Sequence, residues 1–464
     1  MSDLPETWGV KKLIEAVKWL PTGIPRYIGR KKYYSTGSIQ ANANLPEGSF
    51  LFEDKPARAN RLSKKGDVFQ ARMKATDKAL LIDDELNEAL FSTGFIQLRA
   101  IEKQYDSRLL YYFVKSRVFL DQRDKYATGS TQEALTDTQA EDIRIPVPPL
   151  DEQKNIVKEL DSILPKIQDI QARLDKIPVL LKRFRQFVLS AACSGRLTAD
   201  WRERNKLQPV AELLDAHKNK RIISAKTSRE KALLKKIYSQ EEESSEDLPE
   251  NWLFVSLNKI CHSFNYGTSA KSQKIGNIPV LRMGNIQDGN IDWSDLVYTS
   301  DKEEIKKYLL KPKTVLFNRT NSPELVGKTA IYNGEHPTIF AGYLIRINNS
   351  EILDADYLNF CLNAQRAKEY CQSVKTDGVS QSNINAQKLS KFEIPFCSVK
   401  EQCEIVRRVE ALFKFADSVE VKYSTARAHV DRLSQSILAK AFRGELAPKN
   451  TSSESQANGR KTHA

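Results

Sequence analysis

The chain repeats itself, so its fold has to be built twice. Leu4-Pro5-Glu6-Thr7-Trp8 returns as Leu248-Pro249-Glu250-Asn251-Trp252, and Gly94-Phe95-Ile96 is echoed by Gly342-Tyr343-Leu344. Ile145-Pro146 returns 249 residues on as Ile394-Pro395. At the same offset Glu152-Gln153 matches Glu401-Gln402, Ile156-Val157 matches Ile405-Val406, and Leu189 through Leu197 matches Leu438 through Leu446. This period is too long for a solenoid and is that of a duplicated domain with its connector.

Each half opens with residues of mixed character. Short apolar runs, Asp67-Val68-Phe69 and Thr314-Val315-Leu316-Phe317, predict strands. Clusters such as Gly284-Asn285 and Asp288-Gly289-Asn290 predict turns between them. Each half closes with a helix. Ile156, Leu160, Ile163, Ile167, Ile170, Leu174, Ile177, Leu181, Phe184 and Val188 alternate in steps of four and three, as a coiled-coil seam does. Ile405, Val409, Leu412, Ala416, Val419, Tyr423, Ala426, Val430, Leu433 and Ile437 repeat the seam in the second half. Ser398-Val399-Lys400-Glu401 predicts a capping box, and Gly195 and Gly444 predict the stops. Pro165 and Pro178 predict a bent or segmented first helix, and their absence from the second predicts a straighter one.

The expected class is therefore α+β: two duplicated α+β domains and two long helices in a pseudo-two-fold arrangement. The expected divisions are 1–149, a first domain; 150–198, a helical spacer; 199–247, a basic then acidic solvated linker; 248–397, a second domain; 398–447, a second spacer; and 448–464, a disordered tail. The 464 residues suffice for two to four domains. No apolar run approaches a membrane span and Met1 to Trp8 lacks a secretory signal, so the expected location is the cytoplasm.

The formal net charge of +13 points toward a polyanionic partner, with nucleic acid the first candidate. The six cysteines show no Cys-x-x-Cys spacing, which argues for reduced thiols and against a metal site. Catalytic signatures are missing too. There is no Asn/Asp-Pro-Pro-aromatic motif of an amino-methyltransferase. Gly327-Lys328-Thr329 has Ser322 where a P-loop needs glycine. Asp151, Glu152 and Lys154 sit at a helix start, where acidic residues suit the dipole better than a nuclease metal.

The repeated segments carry a resemblance. Ile145-Pro146-Val147-Pro148-Pro149-Leu150-Asp151-Glu152-Gln153, Lys182-Arg183-Phe184-Arg185-Gln186 and Ser194-Gly195-Arg196-Leu197-Thr198 resemble the first conserved region of type I restriction-modification enzyme specificity subunits. Lys400-Glu401-Gln402, Glu404 through Glu410 and Gln435-Ser436-Ile437-Leu438-Ala439-Lys440-Ala441-Phe442-Arg443-Gly444-Glu445-Leu446 resemble the second. The resemblance covers the whole architecture, but its specific motifs cover only about a fifth of the chain. It implies two target-recognition domains, each reading one half of a bipartite DNA site. It also implies helices that pair as an antiparallel coiled coil, set the gap and dock two methyltransferase subunits, with two motor-nuclease (restriction) subunits completing the enzyme. S-adenosylmethionine, ATP and magnesium then belong to those partners, and this chain holds no cofactor, metal or catalytic residue.

Geometry suits that role. The first seam is roughly 50 Å long at ~1.5 Å per residue, against about 34 Å for one duplex turn. Half-site centres about one to one-and-a-half turns apart are expected. Arginine pairs with guanine, asparagine or glutamine with adenine, and lysine or serine with phosphate. The candidate DNA-binding residues are Lys31, Lys32, Tyr33, Arg72, Lys74, Lys125, Thr128, Gly129 and Ser130 in the first domain. In the second they are Tyr266, Arg282, Asn285, Gln287, Asn318, Arg319, Asn321, Lys375, Gly378, Gln381 and Asn383. Gly129 and Gly378 fall at matching places ahead of the helices. The candidate partner-binding residues are Glu152, Gln153, Arg183, Arg185, Glu401, Gln402, Arg432 and Gln435. The charges around Phe184 suit phosphate in isolation, but Phe184 lies on the seam, so they are expected to face a partner. Two other readings remain: a methyltransferase or nuclease with degenerate motifs, and a coiled-coil scaffold without sequence recognition.

Overall fold

A computed structural model describes residues 4–40, 44–129, 133–239, 248–379 and 381–446. The chain forms two compact units: Met1–Asp175 with Tyr423–Ala464 (unit 1), and Lys176–Lys422 (unit 2). Contacts thus group the long C-terminal helix with both units, a division that chain order alone does not suggest. The acidic linker from Glu241, the tail from Pro448 and Ser130 lie outside the described residues.

In unit 1 an antiparallel sheet runs in the order Val17–Leu20, Phe95–Ala100, Asp67–Ala71, Ala79–Leu81. A second sheet runs Gly48–Phe50, Lys31–Tyr34, Leu90–Ser92, Ala59–Leu62. Every residue of Asp67–Ala71 is buried, because this strand serves two cores. Val68 joins one apolar cluster with Leu109, Phe113 and Ile156, while Phe69 and Ala71 join another with Tyr34, Phe91 and Phe95. Successive strand side chains point to opposite faces, so apolar residues are required on both.

Unit 2 repeats this plan. Its main sheet runs Cys261–Tyr266, Leu344–Asn349, Thr314–Asn318, Thr329–Tyr332. The central strand again divides its side chains, Val315 and Phe317 to one cluster and Leu316 to another. A departure comes at the strand start. Asp67 is fully buried, its charge met by Arg99 Nε at 2.6 Å and Gln97 Nε2 at 2.7 Å, whereas the matching Thr314 donates its hydroxyl to Lys311 O at 2.6 Å.

The first spacer is two helices, Leu150–Leu174 and Ile177–Cys193. Pro178 opens the second, where its missing N–H is tolerated, whereas Pro165 sits inside the first without ending it. The second spacer is one helix, Val399–Ala441. Gly195 and Gly444 adopt positive φ, 72° and 78°, as helix stops do. The helices run antiparallel within each unit. In unit 1 Gln171 Nε2 donates to Asp431 at 2.8 Å and Asp175 pairs with Arg427; in unit 2 Arg185 reaches Asp417 at 2.7 Å and Glu420 at 2.8 Å. The seam is buried at Ile156, Ile167, Val188, Ile405, Val409 and Ala416, but Ile170 and Leu433 are exposed. A two-helix contact covers only part of each helix's circumference.

The basic segment between the halves is helical over Ala199–Arg204, Val210–Ser224 and Ser228–Ile237. It is not a solvated connector throughout, because Val210, Leu214, His217 and Leu234 are buried, and the first two join the unit 2 core.

Candidate nucleic-acid interface

The duplicated Glu-Gln pair welds each domain to the helix that follows it. Glu152 accepts from Trp8 Nε1 at 2.7 Å, and Glu401 accepts from Trp252 Nε1 at 2.9 Å. Gln153 Oε1 accepts from the Asp106 N–H and Gln402 Oε1 from the Asp354 N–H, both at 2.8 Å. Each of those aspartates caps its own helix, Ser107–Lys115 or Ala355–Asn363. Both glutamine amides donate to two backbone carbonyls, Gln153 to Gln104 and Pro148, Gln402 to Ile352 and Cys397. Gln153, Glu401 and Gln402 are buried, so the expectation that they face a partner is replaced by an internal role. Glu152 is half-buried and likewise turned inward.

The capping box at Ser398 is half formed. The Glu401 N–H donates to Ser398 Oγ at 3.3 Å, but the Glu401 carboxylate serves Trp252, Thr198 at 2.8 Å and Arg202 at 2.5 Å. The proline of each Leu-Pro-Glu segment lies against a helix stop. A Cβ on Gly444 would fall 2.3 Å from Pro5 Cγ, and one on Gly195 would fall 2.5 Å from Pro249 Cγ.

Several other candidates also have internal roles. Arg185 spends its guanidinium on Asp417 and Glu420. Gln435 joins the Arg117 N–H to the Lys115 carbonyl. Arg183 and Arg432 stay exposed, and Arg432 donates to its own helix at Ala428 O. Tyr33 and Asn318 are buried, the first packed edge-on to Phe50, so neither presents a side chain for base contact. Asn285 is buried as well: its amide donates to Asp292 O and Asp295 O, and its oxygen accepts from the Arg282 N–H.

What remains gathers at equivalent places in the two units. Beyond the central strand of unit 1, the Arg72 N–H donates to Gly94 O at 3.0 Å and the Leu135 N–H donates to Arg72 O at 2.9 Å. In unit 2 the Arg319 N–H donates to Tyr343 O at 3.0 Å and the Ile384 N–H to Arg319 O at 2.9 Å. Arg72 and Arg319 therefore occupy one position in a repeated frame. Met73 bridges Ala134 in one copy, and Thr320 pairs with Asn383 in the other, which makes Ala134 and Asn383 counterparts.

The side chains in this frame differ. Arg319 stacks over the Tyr266 ring at 4.7 Å and donates to Asn383 Oδ1 at 3.1 Å; Asn383 Nδ2 donates to Thr320 Oγ1 at 2.8 Å. Tyr266 is 43% exposed and lies one residue past Asn265, which opposes Arg346. Leu20 opposes Gln97 in the same way, so Pro21 stands where unit 2 has Tyr266. Arg72 lacks both neighbours and pairs instead with Asp137 at 2.6 Å.

Around Arg72 lie Lys74, paired with Glu133, and the loop bearing Thr128 and Gly129. Thr128 Oγ1 accepts from Gln139 Nε2 at 2.8 Å, and Gly129 is exposed with φ 143°. Lys125 is exposed and lies over Tyr126. Lys31 and Lys32 sit on the other sheet, Lys31 held by Glu88 at 2.7 Å and Lys32 exposed. Around Arg319 lie Asn321, whose Oδ1 accepts from the Ser322 N–H, and the short hairpin Thr376–Asp377 with Ser382–Asn383. Lys375 pairs with Asp377 at 2.6 Å, and the exposed Gly378 closes the hairpin through Gln381 O at 2.8 Å. Arg282 pairs with Asp295 at 3.0 Å and Gln287 accepts from Lys328 at 2.7 Å.

Two features escaped the sequence argument. Arg61 is buried in unit 1, a cation where a strand pattern predicts an apolar or exposed residue. Val179, Leu180 and Phe187, with Phe415, are exposed on the unit 2 helices. Their signal was available, since Val179, Leu180 and Phe187 lie off the four-three seam.

The fold and site define a class: a protein with duplicated recognition domains, each presenting cationic and amide side chains on a common backbone frame and each welded to a helix. The family model for the type I restriction modification DNA specificity domain matches residues 9–178 and 249–423. The chain is 30% identical over 352 residues to the EcoKI specificity subunit of Escherichia coli (strain K12), spanning 74% of this chain and 67% of that one. It is 27% identical to the Escherichia coli EcoDI specificity subunit over 96% of this chain and 89% of that one. The fold is similar to a chain solved in a study of complex assembly in the type I R-M system (TM-score 0.69, 19% identity, 95% of this chain, 99% of that one). It is also similar to the HsdS subunit of Thermoanaerobacter tengcongensis (TM-score 0.52, 20% identity, 95% and 98%). The chain belongs to the specificity subunits of type I restriction-modification systems, the subunits that recognise DNA sequence.

Proposed function

We propose that this chain reads an asymmetric bipartite DNA site, one half with each unit, and that catalysis resides on its partners. The observation that supports this most strongly is the repeated frame with unlike occupants. Arg319, Asn383 and Tyr266 stand in unit 2 where Arg72, Ala134 and Pro21 stand in unit 1. Equivalent backbones hold different donor and acceptor sets, so two such heads read different bases. Arginine stacked on an aromatic and steered by an amide is preorganised for a guanine edge.

In this reading the antiparallel helices set the untouched spacer between half-sites. They also dock two methyltransferase subunits, and two motor-nuclease subunits complete the restricting enzyme in the cytoplasm. S-adenosylmethionine, ATP and magnesium sit on those subunits. The exposed apolar side chains Val179, Leu180, Phe187 and Phe415, beside the exposed Arg183, suit a protein partner better than solvent. No helix among the described residues is long and apolar enough to cross a membrane.

The test is a map of methylated adenines in the DNA of cells whose assembled enzyme carries this chain, against cells lacking it. A two-part motif with unlike halves is the expected result, and methylation at no bipartite motif overturns the proposal.

A further inference from the structure

Arg61 is 1% exposed, yet it has no carboxylate partner among the described residues. One guanidinium nitrogen, Nη1, donates to Leu20 O at 2.8 Å, while Nε and Nη2 are buried without an acceptor among the described residues. Burial, and then the charge of nearby Arg72, push its pKa down to about 10; Asp137 opposes them. Arg72 has its own orphan, a buried Nε, and its Nη2 holds Asp137 at 2.6 Å. Asp137 is thus bonded to Arg72 alone, and Arg61 feels its charge without touching it. A buried cation left unmatched is costly, and the local excess of one positive charge with spare N–H donors calls for an anion.

Asp137 has the right exposure to be displaced. Its side chain is 51% exposed and that of Arg72 is 22% exposed, while Arg61 lies buried and bonded to Leu20 O, next to the frame position of Pro21. The surroundings are those of the candidate interface, since the Arg72 backbone is tied to Leu135 and the Thr128–Ala134 bridge lies on the same loop.

We propose that Arg61 and Arg72 form a phosphate clamp in unit 1, in which an oxygen of a DNA backbone phosphate takes the place that Asp137 holds in the free protein. A phosphate fits better than a base edge for two reasons. It brings the negative charge that the pair lacks, and a buried arginine cannot extend into a groove. Arg319 in unit 2 also has a buried Nε without an acceptor, but it pairs with no carboxylate among the described residues, and its partners are the neutral Tyr266 and Asn383. The two heads therefore use their equivalent arginines differently, one for position and one for sequence. The proposal rests on the DNA-reading assignment.

The experiment measures binding of a random-sequence duplex to the complex assembled with the full chain, over a range of salt concentrations. Asp137→Asn removes the internal competitor and is expected to tighten binding about three- to tenfold. Arg61→Met, close in shape, is expected to weaken it about tenfold and to reduce the slope of log affinity against log salt by about 0.9, the loss of one phosphate contact. Arg61→Lys retains the slope. The thermal midpoint of Arg61→Met stays level or rises, because an unmatched buried charge has gone. A fall in its midpoint with an unchanged slope assigns Arg61 a structural role only and overturns the clamp. So does an Asp137→Asn variant that binds no tighter. If the wild-type complex binds no duplex at any salt, the DNA-reading assignment itself fails; if it binds and the variants match it, only the clamp fails.

Discussion

The two welds are near copies and the two reading frames are not. Gln153 and Gln402 make the same three hydrogen bonds, and Pro5 and Pro249 press on Gly444 and Gly195 alike. Above those welds, Arg72 faces Asp137 while Arg319 faces Tyr266 and Asn383. A duplicated chain keeps the contacts that hold a domain to its helix and lets the loop chemistry diverge. The copies differ at the frame proposed to read bases.

Even the welds differ in one respect, which gives the largest expected effect. Glu401 is buried beneath Trp252, Thr198 and the Arg202 guanidinium, whereas Glu152 is half-buried and, among the described residues, meets Trp8 and Thr7. Glu401→Ala leaves a cation without its partner and is expected to cost about 3–5 kcal/mol. Glu152→Ala is expected to cost about 1–2 kcal/mol, the loss of the charge-assisted hydrogen bond from Trp8 and the longer one from Thr7. Denaturant midpoints of the two variants measure the difference, and equal losses would remove the asymmetry.

A second difference follows from the helical linker, whose buried positions pack on unit 2. His217 is 3% exposed, and neither ring nitrogen has a hydrogen-bond partner among the described residues. Burial, then Arg221, holds its pKa down at about 4; His262 and Lys220 add to the effect and Glu351 opposes it. The unfolded chain has the ordinary histidine pKa of about 6.5, so it binds the proton more readily than the folded chain. Stability is then complete above pH ~6.5 and falls by about 2–3 kcal/mol as pH drops toward 4. Unfolding curves across that window, with and without His217→Leu, should show a steep wild-type slope and a flatter variant one. Parallel slopes would remove His217 from the account.

Arg319→Ala and Tyr266→Ala test the reading frame at about 1–3 kcal/mol of base discrimination. The methylated motif should relax in one half only. Relaxation in both halves, or in neither, would break the link between frame and half-site.

Legibility in the sequence followed the kind of force at work. The duplication, the seam and both glycine stops were readable because helix periodicity and positive φ are local demands. The central strands were readable for a related reason: Val68-Phe69 and Val315-Leu316-Phe317 must be apolar on both faces. Burial of polar groups was not readable. Tyr33, Asn285 and Asn318 carry groups that suit DNA, yet each is consumed inside the fold, and only tertiary partners decide that. The repeated Glu-Gln pair looked like a docking signature because charged and amide groups usually face outward. Its repetition instead marks an interior weld needed twice. The expected segmentation of the first spacer is found, but it falls at Pro178; Pro165 lies inside a helix anchored by Ile156, Leu160 and Ile167.

The smallest expected effect separates what joins the helices from what decorates them. In unit 2, Arg185 bridges to Asp417 and Glu420, whose side chains are 65% and 55% exposed; in unit 1, Arg427 bridges to Asp175, which is 56% exposed. Water screens such pairs, and holding long side chains in one geometry costs entropy. Asp417→Asn and Asp175→Asn are each expected to lose less than about 0.5 kcal/mol. Ala416, fully buried on the seam of unit 2, lies one residue from Asp417, and Ala416→Asp is expected to cost several times more. A larger loss from the aspartate changes than from the seam change would mean that ion pairs, and not buried apolar surface, hold the antiparallel helices. The stability of the chain would then fall as salt is raised, which unfolding curves of the wild type and the variants at low and high salt measure.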